Sequence, residues 1–411
     1  MNKPELLAPA GNMEKLKMAL IYGADAVYIG GEKFGLRAQA GNFSIDEIKK
    51  AVEYSHSLGK KLYVTVNIIP HNEDLYDLPD YLIDLEKTCV DAIIISDPAV
   101  LMISKETIPQ MELHLSTQAN NTNYKSAEFW HKQGVKRIVL ARELSFSEIK
   151  EIIEKTSPSL HFEAFVHGAM CISYSGRCLL SNYMVERDAN RGECAHPCRY
   201  KYYIVEEKRP GQYMPIEDDE RGAYIFNSKD LCMIEYIPEL INSGIKSFKI
   251  EGRMKSSYYV ATVVRAYRNA IDSYWKDPKA YVFDREWLEE VNKASHREFF
   301  TGFYFNKPDE KGQIYENSSY IRDYDFVGLV LDYDKVNEVA LVEQRNKMSI
   351  GDEIEIIGPD KKMFKQTIKE MWNEEGEVIE SAPHPQQKVK IKMEKAVGEY
   401  DIFRREDKNN D

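Results

Sequence analysis

The chain has 411 residues, 43% of them hydrophobic and 30% charged, which is too long for one typical domain and long enough for two or three units with sizeable cores. Its 55 basic and 67 acidic residues give a net charge of −12, which argues against indiscriminate binding to nucleic acid through phosphate neutralisation but leaves room for a local basic groove between Lys246 and Arg268. The N-terminal residues lack the pattern of an export signal, and the most apolar stretch, around Ala92–Ile103, is short and contains Asp97 and Pro98. No membrane association is therefore expected, and the cytoplasm is the expected compartment.

In chain order, short β-branched runs alternate with amphipathic stretches. The predicted strands are Glu5–Ala8, Ala26–Ile29, Leu62–Val66, Ala92–Ile95, Glu112–Leu115, Arg137–Leu140, His161–Phe165 and Ser247–Ile250. Helical periodicity lies between most of them: Met13–Tyr22, Ile45–Leu58, Leu78–Cys89, Lys125–Gln133 and Ser147–Lys155. Eight such strands predict an α/β fold, a (β/α)₈ TIM-like barrel over residues 1–255. Roughly 80 residues separate strands seven and eight, an oversized insertion whose Cys-rich part covers about 171–235. Within it, Glu206–Arg221 reads as an exposed loop or hairpin.

A helical extension follows over 256–320, with predicted helices Ser256–Trp275 and Arg285–Ala294. From 325 to 405 the texture turns to strands: Phe326–Leu331, Glu338–Val342, Glu353–Ile357, Phe364–Met371, Lys388–Lys392 and Tyr400–Arg404. Turn signals such as Ile350-Gly351-Asp352 and Gly358-Pro359-Asp360 separate them, which predicts a small C-terminal β-barrel.

Five of the six cysteines fall in the insertion, at Cys171, Cys178, Cys194, Cys198 and Cys232. Loops after barrel strands form the catalytic face, so a functional role is favoured over a structural one. In a reducing compartment such a cluster points to a metal or iron–sulfur site or to reactive thiols rather than disulfides. The spacings of 6, 15, 3 and 33 intervening residues match neither a zinc ribbon nor a ferredoxin run, although Cys194 and Cys198 would suit zinc. Cys89 is expected to be a small buried hydrophobe at a helix end.

Polar residues end several predicted strands and would face the barrel mouth: Asn67, Ser116 to Gln118, Arg142, Glu143, His167, Glu251 and Arg253, with Arg37 after the second strand. Arg37, Arg142 and Arg253 suit a carboxylate or phosphate, and Glu251 and Glu143 could pair with them structurally. His167, four residues before Cys171, could act as a base, orient a ligand or simply fill the strand end. No phosphate-cradling glycine loop, His-Glu-x-x-His helix or Gly-x-Ser-x-Gly elbow is present, and neither is the Cys-x₃-Cys-x₂-Cys triad of radical chemistry.

The run Glu163-Ala-Phe-Val-His-Gly-Ala-Met-Cys171-Ile-Ser-Tyr-Ser-Gly176-Arg-Cys178-Leu-Leu-Ser181 closely resembles the signature of the collagenase-like U32 peptidase family. Glu5–Gly11, Ala24–Gly31, Arg191–Arg199 and Lys249–Lys255 look like the same family, and Gln344-Arg-Asn with Gly351–Ile356 resembles its extra C-terminal domain. With this architecture the chain is similar to the branch whose members act in tRNA hydroxylation. The resemblance implies formation of 5-hydroxyuridine at the tRNA wobble position, with prephenate as co-substrate and a paralogous subunit as a plausible partner. Related members in ubiquinone hydroxylation hold a [4Fe–4S] cluster on four cysteines. Carried over by position, the ligands fall on Cys171, Cys178, Cys194 and Cys232, with Cys198 as the alternative to Cys194 for the third ligand and zinc as the alternative metal.

Three readings follow. The first is a cluster-dependent tRNA uridine hydroxylation enzyme, with His167 and Glu143 as candidate proton-transfer groups and Arg37, Arg142, Glu251 and Arg253 binding substrate. The second is a true peptidase, a hydrolase that a metal could assist. The third is a cluster-bearing RNA-binding scaffold for a partner subunit.

Overall fold

A computed structural model describes residues 3–36, 41–171, 173–174, 177–199, 203–204, 214–215, 229–307, 321–359 and 362–407. Arg37 and all but two residues of the expected Glu206–Arg221 loop lie outside the described residues.

Seven parallel strands follow in order: β1 (Glu5–Pro9), β2 (Ala26–Gly30), β3 (Lys61–Val66), β4 (Ala92–Ile95), β5 (Glu112–Leu115), β6 (Arg137–Val139) and β7 (His161–Ala169). Then come β8 (Asp230–Cys232) and β9 (Ser247–Ile250). β9 lies parallel between β7 and β1, pairing Phe248 with Ala164 on one side and with Leu6 on the other, and so closes an eight-stranded barrel.

The helices between the strands are α1 (Met13–Ile21), α2 (Ile45–Ser57), α3 (Leu78–Lys87), α4 (Pro98–Thr107), α5 (Tyr124–Lys132) and α6 (Phe146–Glu154). Serine side chains start two of them: Ser44 and Ser145 each form a reciprocal capping box with the glutamate three residues on. α4 was not anticipated. Asp97 accepts from Ala99 N at 2.8 Å and Pro98 occupies the first turn, so both start signals were present inside the apolar run. α3 ends at Lys87, which leaves Cys89 exposed in a turn at φ 61°, not buried in a helix as expected.

Strand alternation divides the barrel into two sets of residues. Leu6, Ala8, Val27, Ile29, Leu62, Val64, Ile93 and Ile95 pack outward in the main core shared with the helices. Leu7, Ala26, Tyr28, Tyr63, Ala92 and Ile94 form a separate interior cluster. A charged layer crosses the same interior. Glu163 accepts from Lys249 Nζ at 2.8 Å and from Arg137 Nη1 at 3.1 Å, and Arg137 also reaches Glu5 at 2.5 Å. Burial opposes ionisation of Glu163, but Lys249 and Arg137 outweigh it and hold the carboxyl at about 2.

The Cys-rich insertion includes α7 (Leu180–Val185) and returns through β8, which runs antiparallel along the upper half of β7, and α8 (Ile237–Asn242). Three contacts seat it on the barrel: Arg177 Nε donates to Gln118 O at 2.9 Å, Arg191 to Asp74 at 2.9 Å, and Ile69 N to Asn190 O at 3.2 Å. Beyond the barrel come α9 (Ser257–Lys276), capped by Ser256, then α10 (Arg285–Asn292) and β10 (Phe299–Phe300), which pairs with β8.

The C-terminal unit is an antiparallel half-barrel rather than a closed one. Its strands are β11 (Tyr324–Asp334), β12 (Val339–Gln344), β13 (Glu353–Ile357), β14 (Phe364–Thr367), β15 (Met371–Trp372), β16 (Lys388–Lys392) and β17 (Ile402–Glu406), arranged β14-β13-β17-β11-β12-β16-β15. The expected strand Phe364–Met371 is divided between β14 and β15. The unit has its own core, yet Leu329, Ile357 and Ile402 join the barrel's core. Arg404, wholly buried, grips Glu290 of α10 through two nitrogens at 2.6 and 3.1 Å and donates to Glu355 at 2.9 Å. Arg345 reaches both oxygens of Glu14 on α1 at 2.8 and 3.2 Å. Among the described residues, no helix is long and apolar enough to cross a membrane.

Candidate functional site

The C-terminal ends of the barrel strands open into a cavity of about 690 Å³. Its floor is set by residues on or just after the strands: Tyr28, Thr65, Asn67, Ser116, Gln118, Phe165 and Lys249. The insertion supplies another wall, with Cys171, Cys178, Cys194, His196 and Cys198 all lining the cavity. Arg322, Tyr324, Asp325 and Phe326 also line it, so the start of β11 completes the cavity from the C-terminal unit. Sequence reasoning missed that last contribution. Nothing local in residues 322–326 signals it, because it arises from how the two units dock.

The expected mouth residues behave differently from one another. Arg142 stacks on Phe165, its guanidinium carbon 3.8 Å from the ring centroid, and donates to Glu251 at 3.4 Å. Both Arg142 and Glu251 line the cavity. Arg253 lines it too, but most of its reach is spent on the scaffold: it donates to Leu36 O at 2.9 Å, Asn42 Oδ1 at 2.6 Å and Thr65 Oγ1 at 3.4 Å. A Cβ on Gly30 would meet its guanidinium at 2.1 Å, which explains glycine at the end of β2. Glu143 is half-buried outside the cavity lining. Burial first, and then the Glu143 charge, raise the pKa of Tyr174.

His167 is turned away from the cavity. Strict alternation after Glu163 and Phe165 would aim it inward, but the β7–β9 register shifts by one residue, so that Lys249 pairs with Phe165 and Ile250 with His167. The bulge sends the imidazole outward beneath α9, among Tyr259, Tyr267 and Phe299 at ring separations of 6.0, 5.6 and 5.4 Å. Burial, aided by His296 and Lys255, lowers its pKa to about 3. It is therefore neutral at physiological pH and lies outside the cavity lining to which Cys171 belongs, so it fills the strand end.

Cys232 shares that outer face. It pairs with His167 across β8 and β7, and its Sγ lies 3.9 Å from the Tyr267 hydroxyl. Burial pushes its thiol up to about 12. The insertion cysteines thus divide into four that line the cavity and one that does not.

Residues 11–314 match Peptidase family U32, and residues 322–404 match the Peptidase family U32 C-terminal domain. This chain belongs to peptidase family U32. Among relatives, it is 46% identical to tRNA hydroxylation protein P1 of Bacillus subtilis, over 98% of this chain and 95% of that protein. It is 37% identical to tRNA hydroxylation protein P of Escherichia coli, over 93% and 92%. It is also 33% identical to a protein of Porphyromonas gingivalis named collagenase, over 100% and 99%.

Four thiols lining one cavity are the donor chemistry that an iron–sulfur cluster requires, so the residues of this U32 chain suit such a group in kind. They surround the space without converging on a point: among the described residues no three His, Cys, Asp or Glu side chains form a ready metal cage. Cys171, Cys178 and Cys194 fit both the family resemblance and the cavity. At the fourth position the two differ: the resemblance gives Cys232, which faces α9, whereas Cys198, expected only as an alternative to Cys194, lines the cavity beside it.

Proposed function

We propose that this chain is a tRNA-modifying enzyme whose barrel-mouth cavity receives a wobble uridine for the prephenate-linked formation of 5-hydroxyuridine. The observation that carries this reading is the shared lining of one cavity by four cysteines, three arginines and the edge of the C-terminal unit, in a chain similar over nearly its full length to proteins named for tRNA hydroxylation. Prephenate carries two carboxylates. Arg142, held flat against Phe165 and balanced only at 3.4 Å by Glu251, is placed to receive one of them. Arg253 supports the mouth by fixing Leu36 and Asn42 beside it.

Cys171, Cys178, Cys194 and, on placement, Cys198 would hold a [4Fe–4S] cluster. When bound it would supply electron transfer or oxygen handling beside the substrate. The chain's own residues shape the cavity and orient the anion. A paralogous U32 subunit working beside this chain is part of the proposal.

The peptidase reading draws on the relative named collagenase. It is disfavoured by His167, the base it would use beside Cys171, which is sealed under α9. The test is turnover by protein purified without oxygen, given unmodified tRNA and prephenate. Formation of 5-hydroxyuridine without a partner supports the enzyme reading over a scaffold. Gelatin hydrolysis that vanishes in Cys171→Ser, with no action on tRNA, would support the peptidase instead.

A further inference from the structure

Gln118 sits on a single 3₁₀ turn, Thr117–Ala119, directly after β5. Its backbone is tightly held: Gln118 N donates to Ser116 Oγ at 3.3 Å, and Gln118 O accepts from Arg177 Nε at 2.9 Å. Ser116 Oγ is fixed in turn by Asn67 Nδ2 at 3.1 Å, and Asn67 Oδ1 accepts from Leu36 N at 3.3 Å. The side chain lines the cavity and is 6% exposed, yet among the described residues its Oε1 is buried with no hydrogen-bond partner.

A buried acceptor on so well anchored a turn is costly to leave unused, and Met or Leu would fill the same volume without that cost. The group therefore points to a donor brought by the ligand. Uracil presents N3–H between two carbonyls, and a primary amide can accept from that N–H while donating to the carbonyl beside it. Cytosine presents a bare acceptor at N3.

We infer that Gln118 recognises the imide edge of a uracil ring entering the cavity, with Oε1 accepting from N3–H. This rests on the reading that a tRNA uridine enters here, and it adds the residue that reads the base. The thiols of the insertion and Arg142 line the same cavity as Gln118.

The test is equilibrium binding of anticodon stem-loop RNA to the cluster-loaded full chain, with uridine or 3-methyluridine at the wobble position. The wild type should bind the methylated RNA roughly tenfold more weakly, because the donor is gone. Gln118→Met should bind the uridine RNA roughly tenfold more weakly than the wild type and no longer distinguish the two RNAs. Iron content and melting temperature should stay at the wild-type level, since the turn is held through the Gln118 backbone. Gln118→Glu, which keeps an acceptor, should retain part of the discrimination. If Gln118→Met still discriminates as the wild type does, the inference is wrong while the tRNA reading stands. If the wild type binds neither RNA, the tRNA reading fails and the inference falls with it.

Discussion

Lys249 on β9 and Glu163 on β7 meet inside the barrel at 2.8 Å, on neighbouring strands whose pairing closes the sheet. Both are almost fully buried, and Arg137 extends the pair to Glu5 on β1. The charged layer therefore lies directly under the cavity, and Lys249 itself forms part of the floor. Removing one partner leaves an uncompensated buried charge, so Glu163→Gln should lower stability by about 3 kcal/mol, measured by urea unfolding.

The same pair sets an acid limit. The Glu163 carboxyl is held at about 2, below its ordinary value of 4.5. Its stabilisation is fully present above the ordinary carboxylate range and is lost as pH falls from there through about 2. The wild type should therefore lose stability over this window more steeply than Glu163→Gln does. Parallel curves for the two proteins would contradict the assignment.

Iron and labile sulfide in protein purified without oxygen should fall to background in Cys171→Ser, Cys178→Ser and Cys194→Ser. Placement at the cavity predicts the same loss in Cys198→Ser and retention of iron in Cys232→Ser. The reverse pattern for the last two would mean that β8 turns its thiol into the cavity when the cluster binds.

Arg142→Met keeps the contact with Phe165 and removes the guanidinium fork. We expect the KM for prephenate to rise about tenfold or more. Stability should change by no more than about 1 kcal/mol, since its one ion pair is long and partly solvated. An unchanged KM would remove Arg142 from the anion site.

Arg404→Met should loosen the C-terminal unit by breaking the double contact with Glu290 and the bond to Glu355, which keeps Lys293 at 3.0 Å, at a cost of about 2 kcal/mol. Because β11 forms part of the cavity wall, RNA binding should weaken as well, which the stem-loop assay would register.

Much of this architecture was legible in the sequence. Ala92–Ile95 stands out as a β-branched run, and Glu112–Leu115 and Ser247–Ile250 as short alternating polar–apolar segments. The position of the cysteines followed from the size of the insertion between β7 and β9. What local pattern could not show was anything set by pairing or docking. The bulge that turns His167 outward is a property of the β7–β9 register, and it overrides the period-two reading. Cys232 shares a face with His167 because β8 runs antiparallel to β7, which composition does not announce. The missed helix Pro98–Thr107 differs, since Asp97 and Pro98 marked its start and the apolar run obscured them.

The most direct measurement is mass spectrometry of wobble nucleosides in tRNA from cells lacking this gene and cells carrying it back. The account predicts that 5-hydroxyuridine and its derivatives fall in the deletion strain, return with the wild-type gene and do not return with Cys171→Ser. Unchanged 5-hydroxyuridine in the deletion strain, with any paralogous gene also removed, would contradict it.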